Sequence, residues 1–187
     1  MERPPRQARS LASTNRMLDA AEALFATGGP EGVTIEAVVR ESQTSVGSFY
    51  ARFADRAGLL SAMHGRFIER MQAESASADA AALKQPNLGQ AIEAFVNHAL
   101  PAAVRHRESI LFFVATSATD TPLRQQGLAA NPAFSASFTS VILNFRQEIT
   151  HHSPETAADS AFRVFFALFL QRALFTPHEA TGRTFSD

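Results

Sequence analysis

The sequence lacks cysteine and tryptophan and has a single tyrosine among its 187 residues. Without cysteine the chain cannot form disulfides, thiolate zinc sites or thiol redox sensors. A long apolar run is also missing, because Arg163 interrupts the strongest one, near 161–170. We therefore expect no membrane-spanning segment. The N-terminus has no signal-peptide apolar core, and together these absences favour a cytoplasmic protein.

An excess of charge of one sign is missing as well, since the formal net charge is −1. The proportions of apolar and charged residues, 45% and 19%, are typical of a folded globular chain. Only the first residues are locally basic, with Arg3, Arg6 and Arg9 against Glu2. A flexible basic arm over 1–12 could hold DNA phosphates or enter a minor groove. A solvated, disordered terminus fits the same residues equally well.

The sequence shows no strand-like alternation, and apolar residues recur at helical spacing between proline and glycine breaks. This pattern predicts an all-α fold. A run of small residues at 75–82 and the following break near Pro86 favour a domain boundary around 72–86. We therefore expect one domain over 13–72 and a second over 73–187. Helices are predicted at about 14–27, from 35, from 46, 55–73, 88–104, 106–118, 122–129, 133–151 and 154–175.

One segment, which begins at Thr34, reads as a helix, a tight turn, a short helix and a longer helix. Thr34 and Ser45 are good N-caps for the first two of these helices. A short helix can enter the major groove of DNA end-on when small residues near its N-terminus permit close approach. Val46, Gly47 and Ser48 are such residues, so the segment predicts a helix-turn-helix.

The only tyrosine lies in this short helix. Phe49 and Phe53 are four residues apart and are expected on its buried side, which aims Tyr50 outward. An exposed phenol there can donate a hydrogen bond to a DNA phosphate. Arg52 and Arg56 add positive charge beside it.

These residues resemble the TetR family of transcriptional regulators. The resemblance covers roughly 13–65, including the first helix, NRMLDAAEALFATGG, and a threonine-capped second helix. The motif itself is carried by Ser45, Gly47, Ser48, Phe49, Tyr50, Phe53 and Arg56. The resemblance implies an N-terminal three-helix DNA-binding domain with a helix-turn-helix, and a C-terminal helical domain for ligand binding and dimerisation.

The resemblance also implies a role for each residue of the segment. Thr34, Tyr50 and Arg56 would contact the DNA backbone, with Arg56 holding a phosphate at the start of helix four. The full set of implied DNA contacts is Thr34, Thr44, Ser45, Val46, Gly47, Ser48, Tyr50, Arg52 and Arg56. Two positions depart from the family pattern. Gln43 stands where a turn glycine is usual, so either the turn avoids positive φ or Gln43 is strained. Val46 cannot hydrogen-bond a base, but it could touch a thymine methyl group.

The last helix carries apolar residues around most of its circumference, so it must be buried on more than one side. In a chain of this size, the extra burial is most simply explained by a second copy, and the family dimerises in this way. A protomer core without a partner is the alternative. The predicted dimer interface consists of Phe138, Ile142, Phe145, Phe162, Phe165, Phe166, Phe169 and Leu170.

The middle helices are expected to line a ligand chamber. Sixteen phenylalanines and few polar candidates favour an apolar or aromatic effector, although ordinary core packing explains each position taken alone. The candidate pocket residues are His64, Phe95, His98, Phe112, Phe113, Thr116, Phe134 and Phe138.

The sequence thus predicts a ligand-responsive repressor that binds a pseudo-palindromic DNA operator as a homodimer. A small effector would release it, without a cofactor or metal. Two alternatives stay open. One is a helical enzyme, although no nucleophile elbow, phosphate-binding glycine loop or HExxH motif is present. The other is a TetR-like protein that acts through a protein partner.

Overall fold

The computed structural model describes residues 6–176 and residue 179, and it is all-helical over that part of the chain. A short 3-10 helix, Arg146–Glu148, precedes the last α-helix. The α-helices are α1 (Arg6–Gly32), α2 (Ile35–Glu41), α3 (Val46–Phe53), α4 (Arg56–Ala82), α5 (Leu88–Arg105), α6 (Arg107–Ser117), α7 (Thr121–Leu143) and α8 (Pro154–Leu174). No helix in this part is long and apolar enough to cross a membrane.

The first helix begins earlier than the apolar pattern predicts. Residues 6–12, which the sequence assigned to a flexible arm, form the first turns of α1. Residues 1–5 of that arm lie outside the described part of the chain. Near its other end α1 is kinked at Gly29, where φ is 62°. Glycine populates this left-handed region without the steric penalty of a Cβ atom, which explains the residue there.

Two later helices are longer than predicted. The small-residue run at 75–82 continues α4 instead of ending it, because alanine is the best helix former and side-chain size does not set helix length. Likewise α7 runs through Pro132 and joins the predicted helices 122–129 and 133–151 into one. Pro132 removes only one N–H from the helix, and packing of the rest of α7 outweighs this loss. That helix ends at Leu143, before the predicted end.

The chain forms two compact units, and the division falls within α4, between Arg66 and Phe67. The domain ranges 13–72 and 73–187 remain a prediction about the functional division. The first unit is a small helical core that holds α2 and α3 against α1 and the start of α4. Each of its helices contributes buried side chains: Met17, Ala21, Val38, Phe49, Phe53, Leu59 and Met63.

The second unit combines alanines with packed phenylalanine rings. Its alanines lie on several helices and let the backbones approach: Ala78, Ala82, Ala91, Ala99 and Ala158. Beside them the Phe95 ring meets those of Phe138 and Phe165, in both cases with centroids 5.0 Å apart and nearly perpendicular. Phe138 and Phe165 stack at 5.5 Å. Offset and edge contacts of this kind add to the hydrophobic stabilisation of the core.

This packing separates the two faces of α8. Phe138 and Ile142, assigned to a dimer interface from the sequence, are buried in the protomer's own core, and Phe165 packs against it. The reason is geometric, since apolar residues at helical spacing do not by themselves indicate which side of α7 or α8 faces its own chain.

The other residues predicted for the interface are less buried. Phe145 and Phe162 also pack on this core, while Phe166, Phe169 and Leu170 are partly exposed. The open face of α8 instead carries Val164 and Leu168, 62% and 50% exposed.

Two carboxylates of α4 have opposite surroundings in the second unit. Glu74 accepts a hydrogen bond from Arg105 Nη2 at 2.8 Å and lies 3.5 Å from His106 Nε2. The pKa of Glu74 is lowered, and the largest cause is its hydrogen bond with Arg105. Asp79 accepts a short hydrogen bond from the Ser137 hydroxyl on α7. Its other oxygen is buried with no partner among the described residues, and burial raises the pKa of Asp79.

Candidate nucleic-acid interface

Hydroxyl caps start both helices of the predicted helix-turn-helix. Thr34 Oγ1 accepts a hydrogen bond from the Ala37 amide at 3.1 Å. Ser45 Oγ accepts one from the Ser48 amide at 3.1 Å and donates to Ser48 Oγ at 2.9 Å. Each cap satisfies an amide that the helix cannot pair. The N-caps predicted for α2 and α3 are therefore confirmed.

The turn between α2 and α3 closes the end of α2 with two backbone hydrogen bonds. The Gln43 amide donates to the Arg40 carbonyl at 3.2 Å, and the Thr44 amide donates to the Val39 carbonyl at 3.1 Å. This is the Schellman pattern, which places the residue after the C-cap in the left-handed region. That residue is Gln43, with φ of 52°. The turn therefore does not avoid positive φ, and Gln43 occupies the strained position that the sequence had left open.

Replacing Gln43 by glycine should stabilise the first unit. Glycine removes the Cβ strain, but it also makes the unfolded chain more flexible and so raises the entropy lost on folding. The net gain in the free energy of unfolding is about 0.5–1 kcal/mol. We expect the melting temperature to rise by about 2 °C. Gln43→Ala is the matched control, because it removes the side chain and keeps the strain. An equal rise for both variants would show that the side chain, and not φ, is responsible.

The two sides of α3 are sharply divided. Phe49 and Phe53 are 0% and 7% exposed, with ring centroids 5.3 Å apart. Val46 and Tyr50 are 51% and 52% exposed, and Arg52 is exposed as well. The outward orientation predicted for Tyr50 is confirmed. The exposed part of α3 thus includes a phenol, a guanidinium and a short apolar side chain.

Gly47 lies on this exposed side, and nothing in the fold requires it to be glycine. A Cβ atom built on Gly47 would have no neighbour within 4 Å, and its φ is not positive. Ser48 beside it is half-buried, and Thr44 Oγ1 hydrogen-bonds Ser42 Oγ at 2.8 Å. The N-terminus of α3 therefore offers a surface with little side-chain bulk.

Arg56, the first residue of α4, has its guanidinium engaged within the chain. Its Nε donates to the Val33 carbonyl at 2.9 Å and its Nη2 to the Pro30 carbonyl at 2.8 Å. The sequence predicted a phosphate contact for Arg56. The structure adds these two intramolecular bonds, which no local pattern could predict because their acceptors lie more than twenty residues away.

Sequence reasoning did not identify Gly58 or the turn that joins α3 to α4. At Ala54 the backbone has φ of 60° and ψ of −45°, and the Asp55 amide donates to the Phe53 carbonyl at 2.7 Å. This is a γ-turn, a rare and strained connection. It directs the Phe53 carbonyl towards Gly58, where a Cβ atom would overlap the oxygen and lie 2.9 Å from the carbonyl carbon. A glycine five residues after the end of a recognition-type helix is the only sequence signal for this contact.

The structure pairs four of the candidate pocket residues within the second unit. Phe95 and Phe138 meet in the core described above, and the rings of Phe112 and Phe113 lie 5.1 Å apart. His98 is exposed and its Nε2 lies 2.8 Å from Ser77 Oγ. Thr116 and Phe134 are half-buried in the second unit, whereas His64 is buried in the first. No group of three metal-ligand side chains occurs among the described residues.

Comparison with known proteins supports the resemblance drawn from the motif. Residues 17–63 match the sequence profile of the family described as bacterial regulatory proteins, tetR family. No curated protein matches the chain significantly.

Solved structures share the fold over most of the chain. A transcriptional regulator from Rhodococcus sp. Rha1 is 17% identical, with a TM-score of 0.69 over 91% of this chain and 85% of that one. The fatty acid degradation regulator FadR from Bacillus halodurans is 12% identical, with a TM-score of 0.60 over 86% and 87%. A TetR-like transcriptional regulator from Rhodococcus sp. RHA1 is 18% identical, with a TM-score of 0.52 over 91% and 87%.

Proposed function

We propose that this protein, whose N-terminal helices resemble the DNA-binding domain of the TetR family, is a dimeric transcription regulator. It would bind a double-stranded DNA operator through α2 and α3. The residues that would face DNA are Thr34, Thr44, Ser45, Val46, Gly47, Ser48, Tyr50 and Arg52. Arg52 and Val46 would read base edges, and the hydroxyls and Tyr50 would hold phosphates. Binding to the DNA upstream of the protein's own gene, measured at several salt concentrations, tests this function.

The observation that carries this proposal is the glycine at position 47. Glycine in a helix costs up to about 1 kcal/mol relative to alanine, and the open space around Gly47 shows no packing reason within the chain. A partner that approaches the backbone closely supplies such a reason. The floor of a DNA groove, met by the N-terminus of α3, is a partner of this kind.

Gly47→Ala should therefore have opposite effects on folding and on DNA binding. We expect the free protein to become slightly more stable, by up to about 1 kcal/mol, and the operator affinity to fall by about tenfold or more. Gly89→Ala is a matched control, because Gly89 is also the second residue of a helix and its Cβ would meet only Asn87 Oδ1 at 3.6 Å. If Gly47→Ala binds the operator as well as the wild type, close approach at Gly47 is wrong.

Tyr50→Phe tests a single polar contact on the same surface. The ring still packs against Phe49, whose centroid is 5.7 Å away, so the melting temperature should not change. Only one phosphate hydrogen bond is lost, which should weaken operator binding by about 1–2 kcal/mol. Unchanged affinity across the salt series would exclude the Tyr50 contact.

Dimerisation is supported by the open apolar face of α8. Val164 and Leu168 are one helical turn apart and both point away from the protomer's core. Pairing this face with a second copy would bury them and give a dimer with two copies of α3. Half-sites are then expected about 34 Å apart, on a pseudo-palindromic operator.

We further propose that a small apolar or aromatic effector releases the repressor from DNA. The support is compositional, since thirteen of the sixteen phenylalanines lie in the second unit. An effector acts only through its different affinity for the DNA-binding and released states.

No cofactor or catalytic step is part of this function. If the wild type binds no DNA even at low salt, a protein partner becomes the better explanation.

A further inference from the structure

The Arg56 guanidinium joins two parts of the first unit. Its two hydrogen bonds go to the backbone carbonyls of Pro30, at the end of α1, and of Val33, between α1 and α2. Arg56 itself opens α4. Because a guanidinium is a rigid planar fork with donors at fixed spacing, it holds both carbonyls in one geometry. The side chain therefore connects the start of α4 with the segment that precedes α2.

That segment determines where α2 begins. The Val33 side chain is fully buried, and the Val33 amide donates back to the Pro30 carbonyl at 3.3 Å. The next residue is Thr34, the N-cap of α2 and a proposed phosphate contact. A shift of the Val33 carbonyl would therefore shift Thr34 directly.

The backbone of Arg56, at the start of α4, also lies close in sequence to the proposed DNA-facing residues of α3. Asp55, next to Arg56, caps α4 by accepting from the Gly58 amide at 2.7 Å, and the γ-turn at Ala54 leads straight back into α3. Arg56 thus follows α3 after one short turn, and its side chain contacts the residue that precedes Thr34, the N-cap of α2.

We propose that Arg56 is a positioning residue, which controls DNA affinity by holding the Thr34 end of α2 in register with α3, and not through a phosphate of its own. The proposal rests on the proposed function. It makes a chemical distinction that a phosphate contact does not make. Lysine keeps the positive charge but has a single ammonium in place of the planar fork, so it can serve a phosphate but cannot span these two carbonyls.

The test compares Arg56→Lys and Arg56→Gln with Arg52→Lys and Arg52→Gln as matched controls. Arg52 is also an exposed arginine, in the last turn of α3, but its side chain makes no hydrogen bond within the described part of the chain. Operator affinity is measured across a salt series for each variant. We expect both Arg56 variants to bind about tenfold more weakly with the salt slope of the wild type. A phosphate contact instead predicts near-normal binding for Arg56→Lys, and for Arg56→Gln a salt slope lowered by about 0.9.

Hydrogen exchange in the free protein gives a second readout, which needs no DNA. In Arg56→Lys the Ala37 amide, which donates to Thr34 Oγ1, should exchange faster than in the wild type, while amides in the second unit should not change. Unchanged exchange at Ala37, or wild-type affinity in Arg56→Lys, would overturn the proposal. Faster exchange in a protein whose wild type binds no DNA would mean that the proposed function, and not the contact made by Arg56, had failed.

Discussion

Gly58→Ala is expected to unfold the first unit or to rearrange its α3–α4 turn. The new Cβ atom would overlap the Phe53 carbonyl oxygen, which is part of the backbone and cannot move like the end of a flexible side chain. The γ-turn at Ala54 fixes this carbonyl by its hydrogen bond to the Asp55 amide. We expect a loss of about 3 kcal/mol or more, with operator binding lost at the same time. Circular dichroism during thermal unfolding measures the first effect and gel retardation the second.

Gly28→Ala provides the control for this variant. Gly28 also lies in a helix of the first unit, but a Cβ atom there would meet nothing within 4 Å. Its substitution should leave the melting temperature unchanged or raise it slightly, because alanine favours helix more than glycine does. A Gly58→Ala protein as stable as Gly28→Ala would refute the tight contact between Phe53 and Gly58.

Leu168→Glu is expected to give a folded monomer that has lost most of its specific DNA affinity. In a free protomer Leu168 is half exposed, so glutamate there costs little. In a dimer paired through α8, the same carboxylate would be buried without a partner in both copies, at several kcal/mol each. We expect the dimer dissociation constant to rise at least about a hundredfold. Sedimentation at micromolar concentration and circular dichroism together separate dissociation from unfolding.

Val104→Glu separates the effect of the interface from that of adding a surface charge. Val104 is 48% exposed on a different helix, α5, so this variant should stay dimeric and bind DNA normally. If the wild type is already monomeric at micromolar concentration, or if Leu168→Glu remains dimeric, the α8 face is not the interface. The exposed Val164 and Leu168 would then need another explanation.

Local sequence signals predicted the helix-turn-helix well. The caps at Thr34 and Ser45 depend on short-range hydrogen bonds, and the burial of Phe49 opposite the exposure of Tyr50 follows from helical periodicity alone. These features are determined by residues within one helical turn of each other. The sequence could therefore indicate both the fold class and the surface that would face DNA.

The features that sequence analysis missed depend on contacts between distant segments. Arg56 pairs with carbonyls of the α1–α2 connection, and no pattern near Arg56 reports them. The faces of α8 were ambiguous because both are apolar, and only the packing of Phe165 on Phe95 shows which one points inward. Pro132 was taken as a helix break on its local preference, which tertiary packing of α7 overrides.

The two carboxylates of α4, Glu74 and Asp79, make the stability of the second unit depend on pH in opposite directions. Glu74 has a lowered pKa, so its bond to Arg105 stabilises the fold above the usual glutamate pKa and weakens as pH falls through the folded value. Asp79 has a raised pKa, so its charged form destabilises the fold at neutral pH, and this penalty disappears as the pH falls through its folded pKa towards its usual one. Mild acid should therefore first relieve the burial penalty of Asp79, and stronger acid should then weaken the bond of Glu74 to Arg105 on α5.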